Sequence, residues 1–132
     1  MTLDTSALVA ILFGEPGYLR LVDQVLEADT LRVGAPTLAE VSLVFASRSG
    51  RKAAQHDDRI VQDLVKELGV TIVAFGEAEW HRAADAFARF GRGRHRASLN
   101  FGDCLAYATA ATASDTLLFV GDDFRHTDIK PA

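Results

Sequence analysis

The chain's 132 residues, 48% hydrophobic and 24% charged, have the size and composition of one globular domain, expected over 1–132 and able to bury a core. No apolar run nears the roughly 20 residues of a bilayer span, and the opening MTLDTSALVA lacks a secretory signal's basic head and cleavage site, so a soluble, cytoplasmic protein with no membrane contact is expected. A formal net charge of -4 argues against a general nucleic-acid coat, and a single cysteine, Cys104, excludes an intramolecular disulfide or a thiolate zinc cage.

Positions 1–4 start apolar and end at Asp4, after which Thr5 and Ser6 offer capping hydroxyls to the run Ala7 to Leu12: strand, then helix. The segment Gly14-Glu15-Pro16-Gly17 interrupts, and Tyr18, Val22, Val25 and Leu26 recur at helical spacing as far as Asp29-Thr30. Leu31-Arg32-Val33 reads as a short strand, and Pro36-Thr37 introduces a third helix carrying Leu38, Val41, Val44 and Phe45, with Gly50 as its stop. A polar stretch, Arg51 to Asp58, separates it from an amphipathic helix built on Ile60, Val61, Leu64, Val65 and Leu68. The β-branched run Val70 to Phe75 predicts a buried strand. Trp80, Ala83, Ala84, Phe87 and Phe90 mark the next helix, which yields at Gly91-Arg92-Gly93 to a basic loop. Arg89, Arg92, Arg94, His95 and Arg96 follow one another there with no acid among them, so the surface is bipolar rather than evenly acidic. Asn100 can cap a helix from about Phe101 to Ala113, Leu117 to Val120 reads as a strand ending at Gly121-Asp122-Asp123, and a short tail follows.

Short apolar strands alternating with amphipathic helices imply βαβ crossovers: an α/β fold with a mostly parallel, twisted sheet flanked by helices on both faces. In such sheets ligands bind beyond the carboxyl ends of the strands. Asp4, Asp103 and Asp122 or Asp123 stand at strand ends or helix starts, and Glu40 belongs on the same edge. Four carboxylates held close together repel, and each retains its proton unless a cation neutralises them. Hard oxygen donors without a histidine cluster favour magnesium or manganese over zinc or copper.

Each acid also has a plain reading. Thr37-Leu38-Ala39-Glu40 has the spacing of a capping box, as does Asn100 with Asp103; Asp4 can be a simple N-cap, and Asp122-Asp123 ordinary turn residues. His56, His81, His95 and His126 are scattered over different elements, Cys104 suits a small core position, and Trp80, Phe87 and Phe90 are expected in the core. Arg92, Arg94 and Arg96 lie shortly before Asp103, where they can hold a substrate's phosphates.

The opening MTLDTSALVAIL, Thr37 to Glu40, GRGRHRASLNFGDCLAYA and LLFVGDDFRHTDI, in that order over essentially the whole chain, resemble the PIN-domain ribonucleases, and among them the VapC toxins of bacterial toxin-antitoxin pairs. The resemblance implies a PIN-like domain, a magnesium- or manganese-dependent endoribonuclease leaving 3'-hydroxyl and 5'-phosphate ends, a VapB-like antitoxin partner and a homodimer. It implies Asp4 and Asp103 as the principal metal-binding aspartates and Glu40 as the family's glutamate. Many relatives carry the fourth acid where this chain has Gly121, so that role falls to Asp123, or else to Asp122. Ser6 and Asn100 resemble supporting positions of the pocket. A groove near Leu12, Phe13, Val44 and Phe45 is the expected antitoxin dock.

The residues alone leave three rivals. Phosphate contacts ignore the sugar, so a DNA nuclease stays open. An aspartyl phosphatase is disfavoured because Asp4-Thr5-Ser6 lacks a second carboxylate two residues on. A receiver-like signalling domain needs an aspartate after a middle strand, and the only acids just past Val70 to Phe75 are Glu77 and Glu79.

Overall fold

Four short strands form one sheet in a computed structural model that describes residues 1–49 and 57–132. They are β1 (Thr2–Leu3), β2 (Arg32–Gly34), β3 (Thr71–Val73) and β4 (Leu117–Leu118), ordered β3-β2-β1-β4, with every pairing parallel. Parallel neighbours require crossovers, and helices supply them. The helices α1 (Thr5–Phe13) and α2 (Tyr18–Glu27) join β1 to β2, α3 (Ala35–Arg48) and α4 (Asp57–Glu67) join β2 to β3, and α5 (Glu77–Phe90) and α6 (Phe101–Thr112) join β3 to β4. The expected stop at Gly50 and the polar stretch 51–56 lie outside the described residues.

Successive strand residues point to opposite faces, and β4 shows what each face meets. Leu118 packs with Leu3, Leu8, Val33, Val41 and Val61, whereas Leu117 packs with Phe90, Leu99, Tyr107 and Phe124. Two apolar clusters therefore sandwich the sheet, one fed by α1 to α4 and the other by α5 and α6.

Two expectations of burial fail. The run Val70 to Phe75 was expected as a buried strand, yet only three of its residues pair and Ile72 is 54% exposed, because β3 is an edge strand bonded to β2 alone. Trp80 and Phe87 were expected in the core, but they are 59% and 41% exposed, and of that trio only Phe90 is buried. The other edge is partly covered: the tail lies along β4, with the Leu117 amide donating to the Lys130 carbonyl at 2.9 Å and the Ala132 amide to the Leu117 carbonyl at 3.0 Å. No helix among the described residues is long and apolar enough to cross a membrane.

Candidate active site: a carboxylate pocket at the sheet edge

Asp4 leaves β1 as the N-cap of α1, and its carboxylate Oδ2 accepts from the Ser6 amide at 2.9 Å and the Ser6 hydroxyl at 2.5 Å. The same hydroxyl accepts from the Val120 amide at 2.9 Å, so Ser6 ties the start of α1 to the chain leaving β4. Asp4 is only 4% exposed. Burial pushes its pKa up to about 6 from 3.8, the Ser6 bonds pull the other way, and repulsion from Asp103 adds to the rise.

Glu40 corrects the capping-box reading. Helix α3 starts at Ala35, with Gly34 as N-cap and Pro36 in the first turn, so Thr37 is already inside the helix and its amide is not Glu40's partner. One turn on, the Glu40 Oε2 accepts from the Thr5 hydroxyl at 2.6 Å. Its carboxylate also rests on Gly102, where a Cβ would collide with both oxygens.

For Asp103 the capping reading holds, and it leaves one carboxylate oxygen free among the described residues. The Asn100 amide donates to Asp103 Oδ2 at 2.7 Å and the Asp103 amide to Asn100 Oδ1 at 3.0 Å, a reciprocal cap on α6. At Asp4 and at Asp103 these bonds fall on Oδ2, so capping one helix end does not consume the carboxylate. Burial raises the Asp103 pKa, the Asn100 amide offsets part of that, Asp123 and Glu40 raise it further, and Arg92 lowers it.

The pair after β4 separates. Asp123 opens a single 3-10 turn, Asp123–His126, anchored by buried Phe124, and its charge acts on Asp103. Asp122 is turned to solvent with its Oδ1 3.4 Å from Arg125 Nε. Asp4, Glu40, Asp103 and Asp123, from four separate stretches of chain, thus share one electrostatic neighbourhood, and Asp122 does not.

Two contributors were not legible in advance. Thr5 read as a capping hydroxyl and in fact orients Glu40, and Gly102 makes room for that carboxylate; the only trace of the latter is a glycine inside the first turn of α6, where alanine would favour the helix. The remaining residues behave more simply. Arg92, Arg94 and Arg96 are exposed and make no ion pair among the described residues. His81 stacks on Trp80, His95 accepts from the Ala97 amide, and the two share no site. His56 lies outside the described residues. Cys104 is buried and its thiol is pushed up to about 11, first by burial and then by Asp103, which suits a core filler. At the expected docking groove, the Phe13 and Phe45 rings lie 5.4 Å apart with Arg48 over Phe13. An apolar cleft of about 410 Å³ opens between α3, α4 and β3, walled by Leu38, Val61, Val65, Val70 and Ile72.

Parallel strands with helices on both faces define the class: an α/β protein, in which ligands bind beyond the carboxyl ends of the strands. The PIN-domain model matches residues 1–130, and the chain belongs to the PIN-domain family. Similar curated proteins include ribonuclease VapC36 of Mycobacterium tuberculosis, 41% identical over 131 residues, covering 98% of this chain and 91% of that one. Ribonuclease VapC42 of the same species is 38% identical over 133 residues, covering 100% of this chain and 98% of its own length. In fold the chain is similar to M. tuberculosis VapC20, described as a Sarcin-Ricin loop cleaving toxin, with a TM-score of 0.73, 13% identity and 98% of each chain covered. It is likewise similar to VapBC2 of Rickettsia felis bound to a fragment of promoter DNA, with a TM-score of 0.74, 15% identity and coverage of 99% and 96%.

Proposed function

We propose that the chain is a metal-dependent endoribonuclease, the toxin half of a VapBC-type pair acting in the cytoplasm. The observation that carries this reading is the convergence of Asp4, Glu40, Asp103 and Asp123, with Asp4 pushed up to about 6 by burial and its neighbours. The naming of the 41% and 38% identical relatives as ribonucleases supports RNA as the substrate.

The donor set fits a divalent cation. All four groups are hard oxygens, two of them hold pKa values above their ordinary range, and a dication relieves both burdens, which favours magnesium or manganese. Asp4 and Asp103 would anchor it, with Glu40 and Asp123 completing the shell, while Ser6 and Asn100 hold the two aspartates in orientation. Among the described residues no three acids, histidines or cysteines stand close enough to ligate one ion. When bound, such an ion supplies positive charge against the phosphodiester and eases ionisation of a water. The protein's own part is to bury Asp4, fix Glu40 through Thr5, and bring Arg92, Arg94 and Arg96 to bear on the RNA backbone.

The solved VapBC2 structure and the toxin-antitoxin complex from Klebsiella pneumoniae support a VapB-like antitoxin as partner. Its segment is assigned to the apolar surface from Phe13 and Phe45 across to the α3-α4 cleft. A second copy of the chain is assigned to the face of α5 and α6 that leaves Trp80, Phe87 and Phe101 uncovered.

The test is incubation with total cellular RNA, with and without magnesium, followed by mapping of the ends. Discrete cuts bearing 3'-hydroxyl and 5'-phosphate groups are expected with magnesium only. Glu40→Gln should fold normally, since glutamine still accepts from Thr5, and lose at least about 100-fold in rate. Wild-type cleavage by that variant, or cleavage of DNA in preference to RNA, defeats the reading.

A further inference from the structure

The loop between α5 and α6 is built to a fixed shape. The Arg92 amide donates to the Leu99 carbonyl and the Leu99 amide to the Phe90 carbonyl, both at 3.0 Å, which closes residues 91–99 into a ring. Inside it the Arg94 and His95 amides both reach the Gly91 carbonyl, and the Ala97 amide reaches His95 Nδ1 at 3.2 Å. Ala97 and Leu99 are fully buried pegs. Gly93 at φ +76° and Ser98 at φ +53° adopt the left-handed backbone; for Ser98 this costs about 1 kcal/mol and persists only where surrounding structure enforces it.

This ring has a functional address. Arg92 is strapped across Leu99, whose next residue, Asn100, holds Asp103 in the reciprocal cap. Two nearby cations are engaged, while Arg96, like Arg92, makes no ion pair among the described residues. Arg89 bonds Asp128 at 2.6 Å and Asp85 at 3.2 Å, and Arg94 lies 5.4 Å over the Phe87 ring. Arg92 has no carboxylate within ion-pair distance among the described residues, yet its charge acts on Asp103. A guanidinium offers a planar fork of donors that matches two oxygens of one phosphate.

We propose that Arg92 is the phosphate-binding residue of the site, gripping the non-bridging oxygens of the phosphodiester that is cut, and that the rigid 91–99 ring exists to hold it there. This rests on the nuclease reading above. It differs from general attraction by a basic loop because it assigns one arginine to one phosphate.

The experiment uses a single-stranded RNA oligonucleotide carrying a cut site mapped in total RNA, and measures kcat/KM against salt. Arg92→Ala is expected to lower kcat/KM on the order of 10- to 100-fold, and Arg92→Lys to restore part of the loss. The slope of log kcat/KM against log salt should flatten by about 0.7 when one phosphate contact on a single strand is removed. The magnesium-dependent rise in melting temperature should be kept or enlarged in Arg92→Ala, since losing a positive charge near Asp103 favours a dication, whereas a structural defect would diminish it. Wild-type kcat/KM and slope in Arg92→Ala, with Asp103→Asn inactive, overturn the proposal and leave the nuclease reading intact. Wild-type cleavage by Asp103→Asn removes the nuclease reading, and this proposal with it.

Discussion

Asp4 carries a penalty that can be read as pH dependence. Its pKa is pushed from 3.8 to about 6 in the folded chain, chiefly by burial. Below 3.8 both states hold the proton and nothing is gained or lost. Between the two values the unfolded chain releases its proton first; above 6 the folded chain must carry a buried charge, so stability without metal falls as pH rises from about 4 to about 6. Two units amount to about 3 kcal/mol at most, and loss of the charge-assisted Ser6 bonds reduces what substitution recovers. Asp4→Asn should therefore stabilise the metal-free protein by about 2 kcal/mol at pH 7 and by almost nothing at pH 4, measured by urea unfolding at both. An equal gain at both pH values would trace the effect to packing instead. Asp4 and Asp103 were legible as helix caps, because an acid just before or within a first turn meets free backbone amides there. The contacts of Glu40 were not legible: the capping-box spacing was weaker evidence than Pro36, which marks the first turn of α3 and moves the start back to Ala35.

Glu40 belongs to α3 and Gly102 to α6, so the contact between these helices sets the pocket's width. In an exposed helix, alanine in place of glycine is worth up to about 1 kcal/mol. At Gly102 the new Cβ meets the Glu40 carboxylate before that gain is realised. Gly102→Ala should lower the melting temperature and blunt its rise with magnesium, because Glu40 must swing away from Asp103. The double variant Gly102→Ala, Glu40→Ala should regain stability above either expectation from simple addition, and additive behaviour in that cycle would show that the two do not touch. Such a pair is invisible in the sequence because 62 residues separate its members, and nothing local to either one announces the other. The same limit explains β3. Hydrophobic β-branched residues report what a strand can bury, whereas sheet order decides what covers it, and the order β3-β2-β1-β4 leaves Ile72 at an edge to line the cleft against α3 and α4. The alternation of strands and helices was readable throughout, since each crossover carries its own periodicity.

Over the whole molecule, charge and apolar surface are distributed so that the three proposed partners need not compete. The proposed function assigns RNA to the acidic carboxylates and the arginine ring. The α3-α4 cleft lies on elements of the first apolar cluster, and Trp80, Phe87 and Phe101 belong to α5 and α6 of the second, around a cleft of about 600 Å³. Trp80 at 59% and Phe101 at 78% exposure are large apolar side chains whose hydration is costly, and a patch of this kind marks an interaction surface. If a second copy covers it, the interface contains the N-terminus of α6 and brings two acidic pockets near one another, since Phe101 stands two residues before Asp103. Trp80→Glu with Phe101→Glu should then convert a dimer into a monomer by light scattering at micromolar concentration, with the melting temperature little lowered because neither side chain is buried in the fold. Antitoxin binding at the α3-α4 surface should survive this change, whereas Ile72→Glu, at an exposed wall of the cleft, should abolish it and leave the dimer intact. A wild-type chain that is monomeric at that concentration, or antitoxin affinity lost on changing Trp80 and Phe101 alone, would exchange the two assignments or remove one of them.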